Sequence, residues 1–472
     1  MQVWKNGLMG NFITIMLCIG MGLTACTQPT PIVIYVTATF IPQTEASTHT
    51  VTPIISVTPL HTSTSTVAST KAPTPTATLT PTPLPTTTPI ASASPTNVPT
   101  QTLVPTPIGT EIPGMTTNKL GVQSVVFVEQ HEWNEILERV ETDLQFQWLK
   151  IQVAWDSLQP NSADEITESF RRLEIYIEQA RQMRQIRVLL SIAKAPDWSR
   201  SNLAEDGPPD DPQQLARFLN LILGEFGQAI DAIEIWNEPN LLREWQGQPL
   251  SGASYMRYFD VAYQTIHAYS PQILVITAGL APTGDSEYSV DDHRFLREMY
   301  QSGLGNYDHI GIGVHPYGWG NPPDARCCNL DDERGWDDST HFFFIETLET
   351  YRNIMIENGD QNHQLWLTEV GWATWDRLSG EPPQVWMGYN DVYDQGHYTI
   401  RAIEIGNSLD YVGGMFLWNL NFGLPVLVEN RDERVAYSMT ISGANPVERP
   451  VYWMIYDAVR PMERLNHYEG RP

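Results

Sequence analysis

Between residues 122 and 418 eight short β-rich runs recur, and a stretch of helical periodicity follows each one. The runs are VQSVVF (122–127), WLKIQV (148–153), IRVLLSI (186–192), AIEIW (232–236), ILVITA (273–278), HIGIGV (309–314), QLWLTE (364–369) and GGMFLW (413–418). They read as largely apolar, the pattern of strands covered on both faces of a parallel sheet. Between them, ITESFRRLEIYIEQARQM and PQQLARFLNLILGEF place apolar residues at helix spacing, and PVERPVYWMIYDAV supplies a final helix. Eight such pairs predict an α/β fold, a closed (β/α)8 TIM barrel spanning residues 116–472. A doubly wound sheet rarely needs eight strands, and no Gly-rich phosphate turn follows the first run.

The barrel region is preceded by two segments of different character. Residues 1–25 read as a signal peptide: Lys5 supplies the positive end, and Phe12 to Leu23 form an apolar run too short to span a bilayer. It ends in LTAC, which resembles a bacterial lipobox. That resemblance implies cleavage before Cys26, lipidation of its thiol, and export to the cell exterior with the membrane held through this N-terminal lipid only. An ordinary signal peptide with a chance Cys is the alternative. Residues 26–115 form a Thr/Pro/Ser tract almost without charge, which cannot bury enough apolar surface to fold. Extended at about 3.1 Å per residue, such a tether reaches on the order of 250 Å.

Charge narrows the partners. The chain carries 28 basic and 55 acidic side chains, a formal net charge of −27. Nucleic acid would repel it. Of four Cys, Cys18 leaves with the signal, Cys26 takes the lipid, and Cys327 and Cys328 remain side by side. Adjacent Cα atoms lie closer than the usual disulfide window, so a vicinal ring and two free thiols both stay open. No Cys or His pair stands at ligand spacing, and the acidic run 331–338 lacks the spacing of a calcium loop. No metal or cofactor is expected, and the protein is expected to be a monomer.

Chemistry in such barrels sits at the C-terminal ends of the strands. Strand 3 leads to Lys194, Asp197 and Trp198; strand 4 ends in Asn237 and Glu238; strand 6 ends in His315 and Tyr317; strand 7 ends in Glu369; strand 8 ends in Trp418 and Asn419. Two carboxylic acids, Glu238 and Glu369, therefore face one mouth. Glycoside hydrolysis needs one protonated and one ionised carboxyl flanking the scissile bond.

The motifs WNEPN on strand 4 and TEVGW on strand 7 resemble the clan of retaining glycoside hydrolases with a (β/α)8 barrel, over about residues 120 to 465. WNEPNLLREWQG, followed by a helix and ILVITAGL, is most similar to glycoside hydrolase family 39, with family 5 next. The resemblance implies Glu238 as general acid/base and Glu369 as nucleophile on a polysaccharide or oligosaccharide substrate. It implies Asn237 on the sugar 2-hydroxyl, Tyr317 and His315 holding Glu369, and Trp418 flooring the subsite of the cleaved sugar. SIAKAPDW on strand 3 departs from family 5 by lacking its His. Asp197 or Lys194 is expected to take over that contact, with a Lys194–Asp197 pair as the alternative, and Trp198 is counted with the substrate-binding residues. Two competing functions remain: a catalytically inactive carbohydrate-binding lipoprotein on the same barrel, and a structural surface lipoprotein. Loss of one Glu would favour the first, and a structural protein needs neither.

Overall fold

Eight parallel strands close on themselves in sequence order in the computed structural model, which describes residues 111–328, 338–443 and 446–463. They are β1 (Leu120–Gln123), β2 (Trp148–Ala154), β3 (Arg187–Ala193), β4 (Ala232–Ile235), β5 (Leu274–Thr277), β6 (Ile310–Val314), β7 (Gln364–Val370) and β8 (Val412–Leu417). The last pairs with the first, Gly121 opposite Phe416, so the barrel has no free edge. Seven of the eight expected runs match within two residues. β1 is earlier and shorter than VQSVVF: Val125, Val126 and Phe127 are buried in the loop beyond it, against the core rather than in the ladder. The lipoprotein signal at 1–25, Cys26 and the tether up to residue 110 lie outside the described residues. Met115 already bonds to the barrel, its amide donating to the Ala458 carbonyl at 2.8 Å. Among the described residues no helix is long and apolar enough to cross a membrane.

The longer helices are α1 (Gln130–Glu138), α2 (Glu168–Glu178), α3 (Pro212–Phe226), α4 (Gly252–Tyr269), α5 (Asp292–Gln301), α6 (Phe344–Glu357), α7 (Val392–Ser408) and α8 (Pro450–Ala458). Their starts follow from capping chemistry. Thr167, Asp211, Ser251, Asp291 and Asp391 each accept a backbone N–H of the first turn, and α3 and α8 begin with Pro.

The barrel interior has two storeys. Below lies a plug of Trp148, Leu189, Ala232, Ile276, Trp366 and Phe416. Trp148 meets Trp366 edge-on, with centroids 5.3 Å apart. Glycine makes room for it: a Cβ on Gly414 would stand 2.6 Å from the Trp366 ring. Above the plug, two residues further along the same strands, the inward positions turn polar: Lys150, Ser191, Glu234 and Thr368, all fully buried. This polar storey is the floor of the mouth.

Candidate active site

The ends of β4 and β7 depart from regular strand geometry, and both departures turn a carboxylate inward. In the β7–β8 ladder Leu367 opposes Met415 and Val370 opposes Leu417, so β7 carries one extra residue over the same length. This bulge puts Thr368 and Glu369 on the same side, whereas a regular pleat would alternate them. After β4, Trp236 (φ 76°) and Glu238 (φ 42°) are left-handed, a conformation costly for bulky residues. Trp236 thereby swings its indole away to pack edge-on against Trp245 and donate to the Glu244 carbonyl at 2.8 Å. Glu238 is held by its own amide, which donates to the Gly279 carbonyl at 3.0 Å.

The two acids meet. One carboxylate oxygen of Glu238, one of Glu369 and a ring nitrogen of His315 all lie within 4.8 Å of one another. Both acids are buried. Tyr317 donates its hydroxyl to Glu369 Oε2 at 2.9 Å, and Lys150 Nζ stands 3.4 Å from Oε1. Lys150 also pairs with Glu234 at 3.0 Å and donates to the Thr368 carbonyl at 3.0 Å. Burial opposes ionisation of Glu234. Lys150 and His315, helped by the nearby Thr368 and Ser191 hydroxyls, outweigh it and hold the carboxyl below the usual range.

His315 serves Glu238 rather than Glu369, against expectation. Its Nδ1 is 3.0 Å from Glu238 Oε1 and 3.9 Å from Glu369 Oε2, beyond hydrogen-bond range. Its Nε2 lies 3.1 Å from the Thr368 hydroxyl. The ring therefore bridges Glu238 and the Thr368 hydroxyl. Gly279 permits this contact, because a Cβ there would fall 2.2 Å from His315 Nε2.

Arg243 lies across the other side of Glu238. Its Nη2 is 2.9 Å from Glu238 Oε2, and its Nη1 is 3.0 Å from Glu244. Burial pushes the Glu244 carboxyl up to about 8 despite that guanidinium.

The remaining expected residues divide. Asn237 is buried at the mouth, and its Oδ1 has no hydrogen-bond partner among the described residues. Trp418 is buried with Tyr317 and Tyr437 edge-on, at 6.1 and 4.8 Å, and its Nε1 likewise has no partner there. Trp198 packs edge-on against Trp155 and donates to the Gln159 carbonyl at 2.7 Å. Asp197 is exposed on the turn Asp197–Ser199, and Lys194 pairs with Asp206 instead. Neither Asp197 nor Trp198 bonds to the acids. Cys327 and Cys328 are joined to each other, the vicinal option. Lys150, Glu234, Thr368, Arg243 and Glu244 were missed in the sequence. A lone charge within an apolar strand, as in WLKIQV and AIEIW, was the available signal for two of them.

Fold and site together define a (β/α)8 barrel whose fourth and seventh strands bring paired carboxylates to one mouth. No protein-family model matches the chain, and no curated protein matches it. Among solved structures it is similar to a family 39 glycoside hydrolase from the gut symbiont Bacteroides cellulosilyticus WH2. The TM-score is 0.54 at 16% identity over 74% of this chain and 63% of that one, so this chain spans under two thirds of that protein's length. It is also similar to the GH39 enzyme from Xanthomonas axonopodis pv. citri, with a TM-score of 0.50 at 16% identity over 74% of this chain and 67% of that chain. At such identities the likeness is one of fold.

Proposed function

We propose that the protein is a retaining glycosidase that hydrolyses O-glycosidic bonds of a polysaccharide or oligosaccharide by double displacement. The observation that carries the reading is the approach of Glu238 and Glu369, with one oxygen of each within 4.8 Å of the other. Retaining enzymes hold their carboxyls about 5–5.5 Å apart, and inverting enzymes need about 6.5–9.5 Å to admit a water. Glu369, aimed by Tyr317 and paired with Lys150, attacks the anomeric carbon. Glu238 gives its proton to the leaving oxygen. Glu238 then takes a proton from the water that releases the sugar from Glu369. Asn237 Oδ1 accepts from the sugar 2-hydroxyl, a contact that strengthens as the oxocarbenium ion forms. Trp418 presents a ring face to the sugar.

The test is activity on a panel of aryl glycosides beside Glu238→Gln and Glu369→Gln, with NMR of the first-formed anomer. Retained configuration in the wild type, lost in both variants, is the expected result. Inversion would overturn double displacement. Binding without turnover would leave a carbohydrate-binding lipoprotein.

The lipobox-like LTAC supports a surface anchor through Cys26. Cys26→Ala should abolish lipid labelling and membrane partitioning. Unchanged partitioning with normal signal removal would reject the anchor.

A further inference from the structure

The start of α5 and the turn Thr340–Phe342 bring together Asp291, Asp292, His293 and His341, whose ligand-type atoms all lie within 4.8 Å of one another. The proposed hydrolysis uses none of them. His341 Nδ1 stands 2.7 Å from Asp292 Oδ1, and His293 Nε2 stands 3.7 Å from Asp292 Oδ2. The two imidazoles stack, with centroids 4.5 Å and planes 22° apart.

The contacts are close, yet they are not hydrogen bonds. His293 Nε2 and His341 Nδ1 are both buried, and neither has a hydrogen-bond partner among the described residues. Buried nitrogens in that state call for a cause. A protonated His341 between the two aspartates would account for its own contacts but leave His293 Nε2 with nothing. A cation accounts for both. Zinc takes nitrogen and carboxylate oxygen at about 2.0–2.2 Å, so ligand atoms around a tetrahedral ion stand about 3.4 Å apart. His341 Nδ1 faces Asp292 Oδ1 at 2.7 Å and His293 Nε2 faces Oδ2 at 3.7 Å, spacings on the scale of that edge.

An outer shell is also in place. Asp291 Oδ2 lies 3.2 Å from His341 Nε2, where a carboxylate orients a metal-bound imidazole. Tyr351 donates to Asp292 Oδ2 at 2.8 Å, and the Thr283 amide to Oδ1 at 3.3 Å. Two imidazoles and a carboxylate select a first-row transition ion over calcium or magnesium, which prefer oxygen.

We propose that His293 Nε2, His341 Nδ1 and Asp292 bind one zinc-class divalent ion, with a water completing the tetrahedron. Its position gives it a structural role. The Phe342 carbonyl accepts from Asn321 Nδ2 at 2.9 Å, and the Phe342 ring meets Trp319 edge-on. The ion therefore staples the segment backing the β6 loop to the start of α5.

The test uses the full chain, purified in detergent, stripped with a chelator and titrated with zinc chloride. One zinc per chain and a rise in the thermal midpoint are expected. His293→Gln and His341→Gln should lose saturable binding, and Asp291→Asn should weaken it by about 10- to 100-fold. Should either His variant fail to fold, Asp291→Asn and the tetrahedral absorption of bound Co2+ in the wild type decide. Glu369→Gln should bind zinc as the wild type does. No zinc bound to the folded wild type, binding indifferent to His293→Gln, loss in Glu369→Gln, or preference for calcium would each overturn the proposal.

Discussion

Glu244 faces Arg243 Nη1 at 3.0 Å, and burial still outweighs that positive charge. Its carboxyl rises from 4.5 to about 8. The folded chain therefore keeps a proton that the unfolded chain releases above about pH 4.5, and stability must fall as pH rises through this window. Glu244→Gln removes the titration. At pH 5 variant and wild type should be similarly stable; at pH 8 the variant should gain, on the order of a few kcal/mol. Denaturant unfolding at both pH values checks this, and a gap that does not change with pH would contradict it.

Tyr317→Phe removes the hydroxyl that aims Glu369 while keeping the ring among Trp418 and Tyr437. A hydrogen bond to a charged group is worth about 1.5–3 kcal/mol, so kcat should fall about 10- to 100-fold. KM on an aryl glycoside should change little.

Lys150→Met strands Glu234 and Glu369 as buried carboxylates without their shared cation. Removing one partner from a buried ion pair costs about 3–5 kcal/mol. Adding Glu234→Leu should restore much of the stability without restoring turnover. Full recovery of activity in the double variant would show that Lys150 matters only through Glu234.

Gly279→Ala drives a methyl to 2.2 Å from His315 Nε2 and 2.6 Å from the Thr368 hydroxyl. Overpacking of this kind costs about 1–3 kcal/mol. Displacement of His315 from Glu238 should slow substrates with poor leaving groups more than activated aryl glycosides.

Glu238→Ala should likewise spare activated aryl glycosides, whose leaving groups need no acid. Azide should then rescue the second step by attacking the sugar on Glu369 without a base. Equal losses across leaving groups, with no rescue, would leave Glu238 as a positioning residue.

The barrel was legible because a strand buried on both faces must be apolar, and eight such runs admit one closed architecture. β1 was misplaced for a related reason. Val125, Val126 and Phe127 are buried like strand residues but are fixed by packing, which hydropathy does not distinguish from pairing. Glu238 and Glu369 were legible as acids ending apolar runs. The partner of His315 was not: β6 lies between the two acid-bearing strands' loops, and Å-scale geometry decides which carboxylate the ring meets. The supporting polar storey was visible only as Lys150 and Glu234 at every second position of their strands. His293 and His341 come from different loops, and no spacing rule joins them.

A pleat counts in twos, and Leu365, Leu367 and Val370 face the helices, with one residue too many between the last two. Without that miscount Glu369 would point outward into hydrocarbon. Its presence at the mouth is thus a property of backbone phase as much as of side-chain identity. A survey replacing every side chain in turn would pass over this determinant; one-residue insertions and deletions along β7 would expose it.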